Sequence, residues 1–205
     1  MTGSMLADAA LAGVLGLLIG SFLNVVIHRL PRMMERQWAA ECAQYVQDSG
    51  LLAQSGGATT PAAEPFNLLR PRSRCPSCGH ELRWYENIPV LSYLALRGRC
   101  SGCGTRISAR YPLVELATAA LFYACAMRWG WSMTTLAWCG FSAALVALTL
   151  IDWDTTLLPD DITLPLLWAG LLAAVLRWTE VQPVDAVIGA AAGYLSLWLV
   201  YWGFK

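Results

Sequence analysis

Ala9-Ala-Leu-Ala-Gly-Val-Leu-Gly-Leu-Leu-Ile-Gly-Ser-Phe-Leu-Asn-Val-Val-Ile27 runs for nineteen residues between Asp8 and His28 without a charge. A bilayer core about 30 Å thick takes roughly 20 helical residues, so this stretch predicts a helix that crosses a membrane. Working outward, residues 129–151 give twenty-three uncharged positions and residues 186–204 give nineteen. Residues 162–176 are shorter at fifteen, but Trp168 and Trp178 suit an interfacial belt. Residues 116–127 form the weakest candidate. They span only if residues 111–115 enter the headgroup region or are buried in protein. The expected fold is therefore an all-α polytopic membrane protein of about five crossings.

Composition agrees. Charged residues make up 14% of the 205-residue chain and apolar ones 57%, against about 25% charged in soluble domains. Disorder, coiled coil and collagen are excluded, because Lys and Glu are scarce and no heptad or Gly-X-Y period occurs. Net charge is zero, yet eleven of the fourteen Lys and Arg lie between Arg29 and Arg110. Positive charge stays on the cytoplasmic side. That places the N-terminus outside, residues 31–110 in the cytosol, and, where the third crossing ends, residues 152–161 in the cytosol too, with Lys205. The first helix is not read as a cleaved signal peptide: it lacks a basic start and ends in Asn24, His28 and Arg29 rather than a small-residue cleavage site.

Three units follow: residues 1–30 as the first crossing, 31–110 as a cytosolic insert, and 111–205 as a membrane domain. Within the insert, Met34, Trp38, Cys42 and Tyr45 recur at helical spacing over residues 33–52, predicting a short amphipathic helix on the membrane surface. Residues 55–65 (SGGATTPAAEP) read as a linker. No internal repeat is evident.

Four of the seven cysteines make a pattern: Cys75-Pro-Ser-Cys78-Gly and Cys100-Ser-Gly-Cys103-Gly. Each Cys-x-x-Cys turn directs two thiolates at one ion, and two turns complete a closed, structural S4 site for zinc or a similar thiophilic metal. Paired disulfides conflict with a cytosolic location. Cys125 and Cys139 read as packing residues in helices, and His80 as a solvated turn residue. Arginines surround the knuckle, as they do in nucleic-acid-binding ribbons. With membrane on both flanks they are assigned to orientation and to anionic lipid headgroups, not to nucleic acid.

The second unusual stretch is Leu150-Ile-Asp152-Trp-Asp154-Thr-Thr-Leu-Leu-Pro159-Asp160-Asp161. Carboxylates at the end of a membrane span are functional candidates. Asp161 reads as solvated. Asp152, ending a twenty-three-residue apolar run, is expected in the interface, where partial desolvation raises a carboxyl pKa. Paired with a second carboxylate it could activate water while its partner protonates a scissile carbonyl. Asp154, two residues on along the same helix, faces elsewhere. Alternatively Asp152 and Asp154 could hold Mg²⁺ against a lipid phosphate, although their loop carries no Lys or Arg. The residues alone leave both open.

Several motifs, in order, resemble the type IV prepilin peptidases. They are Gly20-Ser-Phe-Leu-Asn24-Val-Val-Ile-His28-Arg29-Leu-Pro31, the paired cysteines, Glu86-Asn-Ile-Pro89 with Leu91-Ser-Tyr93-Leu, and Arg110-Tyr-Pro-Leu-Val-Glu115. Ile151-Asp152-x-Asp154-x-x-Leu-Leu-Pro159-Asp160, Thr163-Leu-Pro165-Leu-Leu-Trp168 and Gly193-Tyr-Leu-Ser-Leu-Trp198 continue the series. The resemblance implies a bifunctional enzyme of the bacterial inner membrane. Such an enzyme cuts the leader of prepilins or secretion pseudopilins after Gly on the cytosolic side, then N-methylates the new terminus with S-adenosylmethionine. It implies that Asp152 is the first of two catalytic aspartates of the GxGD class, with Asp154 and Asp160 as neighbours. Gly98 and Arg99 match the region associated with methyl transfer, although Gly98 reads equally as a turn ahead of the knuckle. The second aspartate lies in a Gly-x-Gly-Asp motif, and none occurs in these 205 residues. The expectation is that this chain alone has little or no peptidase activity, or that it binds prepilin without cutting it.

Overall fold

A computed structural model describes residues 3–49 and 66–205; the stretch read as a linker, residues 55–65, lies outside them. Six α-helices follow in order: α1 (Gly3–Asp48), α2 (Leu91–Ala95), α3 (Arg110–Trp129), α4 (Met133–Thr155), α5 (Asp160–Val175) and α6 (Pro183–Gly203), with a 3-10 turn at Trp84–Asn87 ahead of α2. Three of them, α1, α4 and α6, are long and apolar enough to cross a membrane. The other two long helices, α3 with twenty residues and α5 with sixteen, pack between them. The five long helices lie where five crossings are expected.

Unlike the expected break near residue 31, α1 continues through Pro31 for 46 residues. The amphipathic stretch after it is the outer half of the same helix, not a separate element. Pro31 removes one backbone donor, but Leu30 and Met34 on either side pack against the core, and Arg32 bonds His28 across the proline at 2.9 Å. The chain then returns along this extension. Arg29, buried at 8% exposure, donates to the carbonyls of Asn67 (2.9 Å) and Leu68 (3.3 Å), and Arg36 stacks over the Phe66 ring at 4.1 Å. A guanidinium read from sequence as an orientation charge is thus also a strut holding the insert to α1.

The core lies between α1, α3 and α4: Leu23, Val26 and Ile27 meet Val114, Phe122 and Cys125, and Cys139, Ala143, Ala147 and Ile151 close it. Helices α1 and α3 run antiparallel at close range. Asn24 Nδ2 donates to the Tyr111 carbonyl at 3.1 Å at one end, and Ala9 and Ala12 pack on Ala126 at the other. Fifteen residues on each helix separate those contacts, about 22 Å at 1.5 Å per residue. Between them a Cβ added at Gly20 would lie 2.7 Å from Glu115 Cα, and one at Gly16 2.7 Å from Ala119 Cα. Only glycine lets these backbones meet, as in small-xxx-small helix pairs.

Helix α4 turns back along α3. Ser132 caps it by accepting from the Thr135 N–H at 3.2 Å, and stacked Trp129 and Trp138 (5.7 Å) cover the turn. At its far end Thr156 takes a left-handed conformation and donates to the Asp152 carbonyl at 2.8 Å. Pro159 then starts α5. No residue of α6 is buried; Val187, Leu195, Leu197 and Trp198 stand exposed.

Candidate functional site

The four paired cysteines converge. Their sulfurs all lie within 4.8 Å of one another, with Cys75 to Cys103 at 3.8 Å and Cys78 to Cys100 at 4.0 Å. Tetrahedral thiolates 2.3 Å from a zinc ion stand about 3.8 Å apart, so the donor set fits such an ion as it stands. Local hydrogen bonds favour the thiolate at Cys75 and Cys103, whereas at Cys78 the His80 N–H favours it but the neighbouring sulfurs push the thiol up to about 12. The Cys78 and Ser77 N–H groups lower the Cys75 pKa. The Thr105 hydroxyl, 3.2 Å from Cys103 Sγ, and the Thr105 N–H bring Cys103 down to about 6.

The two turns are copies of each other, twenty-five residues apart. Cys75 N–H donates to the His80 carbonyl, and Cys100 N–H to that of Thr105. Gly79 and Gly104 N–H groups return to the carbonyls of Cys75 and Cys100, all four bonds at 2.9 Å. Both glycines have φ +72°, a conformation that favours glycine. Bridges join Arg74 to Glu81 and Arg99 to Arg106. The expectation of no internal repeat is therefore corrected. Ser73–Leu82 and Gly98–Ile107 are one ten-residue unit used twice, legible in the shared Arg-Cys-x-x-Cys-Gly but too short to register as periodicity.

His80 is also corrected. It is half-buried rather than solvated, with Nε2 3.2 Å from Ser101 Oγ of the other turn and 3.3 Å from Glu86 Oε2. Glu86, only 9% exposed, accepts from the Arg83 N–H at 2.7 Å. The Ser101 hydroxyl, that N–H and His80 together hold its carboxyl at about 2. A charged Glu86 thus ties the first turn to the second. Gly98 has φ +65°, and a Cβ there would meet the Tyr93 hydroxyl at 2.8 Å, so its smallness serves the packing of α2 on the second turn. Arg99 follows as the first residue of that turn's bridge.

The insert is fastened to the membrane helices by Glu115 of α3. Buried at 8% exposure, its Oε2 accepts the Val90 N–H at 2.8 Å. Val90 has φ +58°, rare for a β-branched residue. Three motifs separate in sequence, at Gly20, Glu86–Pro89 and Glu115, therefore meet at one junction. Gly16-x-x-x-Gly20 was the available signal for the helix pair; nothing local marked Arg29 or Glu115.

The acidic stretch ends α4 and begins α5. Arg110, the first residue of α3, donates to Asp154 Oδ1 at 2.7 Å and to the Leu150 carbonyl at 3.4 Å. The cation absent from the acidic loop is supplied from the end of the insert. Asp160 accepts from Thr163 at 3.3 Å. Asp152 lies on the opposite side of α4 from Leu150 and Asp154. It is exposed and takes part in no ion pair among the described residues. The structure brings Asp154 to Arg110 and leaves Asp152 open on the other side of the helix.

Residues 14–129 match the Bacterial Peptidase A24 N-terminal domain, and residues 139–204 match the Type IV leader peptidase family. The chain belongs to this family. Among relatives named prepilin leader peptidase/N-methyltransferase, one from Burkholderia pseudomallei (strain K96243) is 52% identical over 209 residues, covering 100% of this chain and 62% of that protein. One from Aeromonas hydrophila is 54% identical, covering 96% and 64%, and one from Stutzerimonas stutzeri is 47% identical, covering 100% and 68%. The chain thus spans a little under two thirds of the length of most of these relatives. No solved structure matches it. The first match ends with α3, and the second holds the whole acidic stretch with most of α4, α5 and α6.

Proposed function

We propose that these 205 residues supply one catalytic aspartate and the methyl-transfer insert of a prepilin leader peptidase/N-methyltransferase in the bacterial inner membrane. The substrates are prepilins or pseudopilins, cut after Gly at the cytosolic face. The observation that carries this reading is the Arg110–Asp154 ion pair at 2.7 Å. It sets the acidic end of α4 at the same end of the bundle as the cysteine knuckle. The antiparallel run of α3 along the apolar part of α1 supports the same topology. If α1 crosses with its basic end inward, α3 crosses back, α4 returns, and Asp152 stands on the cytosolic side.

In this reading one of two carboxylates takes a proton from water while the other, protonated, donates to the scissile carbonyl. Asp152 is the first, and its open face is where the second would approach. Arg110 offsets the charge of Asp154, which leaves Asp152 as the unpaired carboxylate of α4. The knuckle holds a structural zinc that fixes the two turns of the insert. S-adenosylmethionine would supply the methyl group, but Gly98 backs onto Tyr93 and forms no cradle for it.

The test is expression of residues 1–205 with a prepilin substrate, alone and beside a segment bearing Gly-x-Gly-Asp. The expected outcome is no mature product alone, and product in the complemented sample that Asp152→Asn abolishes. Cleavage that persists in Asp152→Asn would overturn the assignment. Prepilin captured without cleavage in every arm would leave a binding role.

A further inference from the structure

Away from Asp152, a trough of about 600 Å³ runs between α3 and α4. Arg110, Leu150 and Trp153 close one end, and Leu121 and Ser142 mark the other. Its floor is apolar: Leu113, 62% exposed, and Leu145, 43% exposed, face open space with no helix over them among the described residues. From Arg110 to Leu121 is eleven residues, about 16 Å. That is the depth of one leaflet of a bilayer about 30 Å thick. An apolar floor of one-leaflet depth, ending at a charge pair, suits an acyl chain.

Its closed end carries a charge pair. Two of the five guanidinium N–H donors of Arg110 go to Asp154 and the Leu150 carbonyl, leaving the others free. Arg110 and Asp154 keep 39% and 34% of their side-chain surface. Trp153 beside them, 84% exposed, suits the headgroup level. A cation and an anion 2.7 Å apart complement a headgroup that carries both signs, phosphate to Arg110 and a hydrogen-bonding ammonium to Asp154. A headgroup with net negative charge meets Asp154 unfavourably, and a quaternary ammonium has no N–H to give it.

The geometry points to a binding site for a zwitterionic aminophospholipid, phosphatidylethanolamine, of the inner leaflet, with an acyl chain along α3 and α4 and its headgroup on Arg110 and Asp154. The inference rests on the membrane topology and not on peptidase chemistry. Its failure is therefore separable from that of the cleavage assay.

The experiment places the full chain in phosphatidylcholine nanodiscs holding equal small fractions of phosphatidylethanolamine and phosphatidylglycerol. Bound lipid is then read by native mass spectrometry. One phosphatidylethanolamine per chain is expected, preferred over phosphatidylglycerol by about tenfold, or about 1.4 kcal/mol. Ala117→Trp, which fills the trough, removes it. Asp154→Asn, which removes the anion, turns the preference toward phosphatidylglycerol. Arg128→Ala, at the far end of α3, changes neither. Preference for phosphatidylglycerol by the unaltered chain, no retained lipid, or full retention in Ala117→Trp overturns the proposal. So does a dimer joined through Leu113→Cys that excludes the lipid, because it gives the trough to a second copy.

Discussion

The cysteine knuckle and the acidic end of α4 are both clusters of four metal- or proton-handling side chains, and they are built in opposite ways. All four thiols come from two copies of one turn, and each copy repeats the hydrogen bonds of the other. Glu86, His80 and Ser101 then bind the copies together. The carboxylates diverge: Asp154 goes to Arg110, Asp160 to Thr163, and Asp152 to open space. A closed site carries its whole coordination sphere within about thirty residues. An open one presents a single group and takes the rest of its chemistry from whatever approaches.

The sharpest way to break this contrast is to remove a thiolate. In Cys75→Ser and in Cys100→Ser, bound zinc by atomic emission should fall from about one per chain to near none, because a structural site needs all four ligands. The insert should become protease-sensitive as well, since metal binding and folding are coupled. Full metal in both variants would dissolve the distinction drawn above. Next in size is the helix pair that carries both sites. Gly20→Leu drives a side chain into the Glu115 backbone and should lower stability by about 3 kcal/mol, read as a drop in the midpoint of thermal unfolding in detergent.

A pH series sharpens the closed side. Because Glu86 is held at about 2 and an unfolded Glu titrates near 4.3, its ionised form stabilises the insert above that unfolded value. The advantage is lost as pH falls through the folded one. The gap in stability between the unaltered chain and Glu86→Gln should close between about pH 4 and 2. A gap that widens between about pH 4 and 2 would show that the neutral carboxyl is the form the fold favours. The smallest effect belongs to the open side. A double-mutant cycle on Arg110→Ala and Asp154→Ala should give a coupling of about 0.5–1 kcal/mol for so exposed a pair.

Much of this arrangement was legible in the residues. Uninterrupted apolar runs located the long helices, because hydrocarbon length sets a minimum that sequence shows directly. The cysteine spacing announced the knuckle, since two short turns are almost all its geometry requires. What stayed hidden depended on distance across the fold. Nothing beside Arg110 indicates Asp154, forty-four residues on, and nothing beside Arg29 indicates the carbonyls of Asn67 and Leu68. The unbroken course of α1 was hidden for a different reason: packing of Leu30 and Met34 carries the helix past Pro31, which lacks an N–H donor. The ten-residue copy was visible, but one repetition carries no period.

The unbroken α1 has a mechanical consequence. From His28 to Asp48 it extends twenty residues, about 30 Å, past the junction with α3. A stiff rod of that reach turns a change of about 10° in its lean within the bilayer into about 5 Å of sideways travel at its tip. Local thickness or curvature of the host membrane is thereby amplified at the point where the chain departs toward the insert.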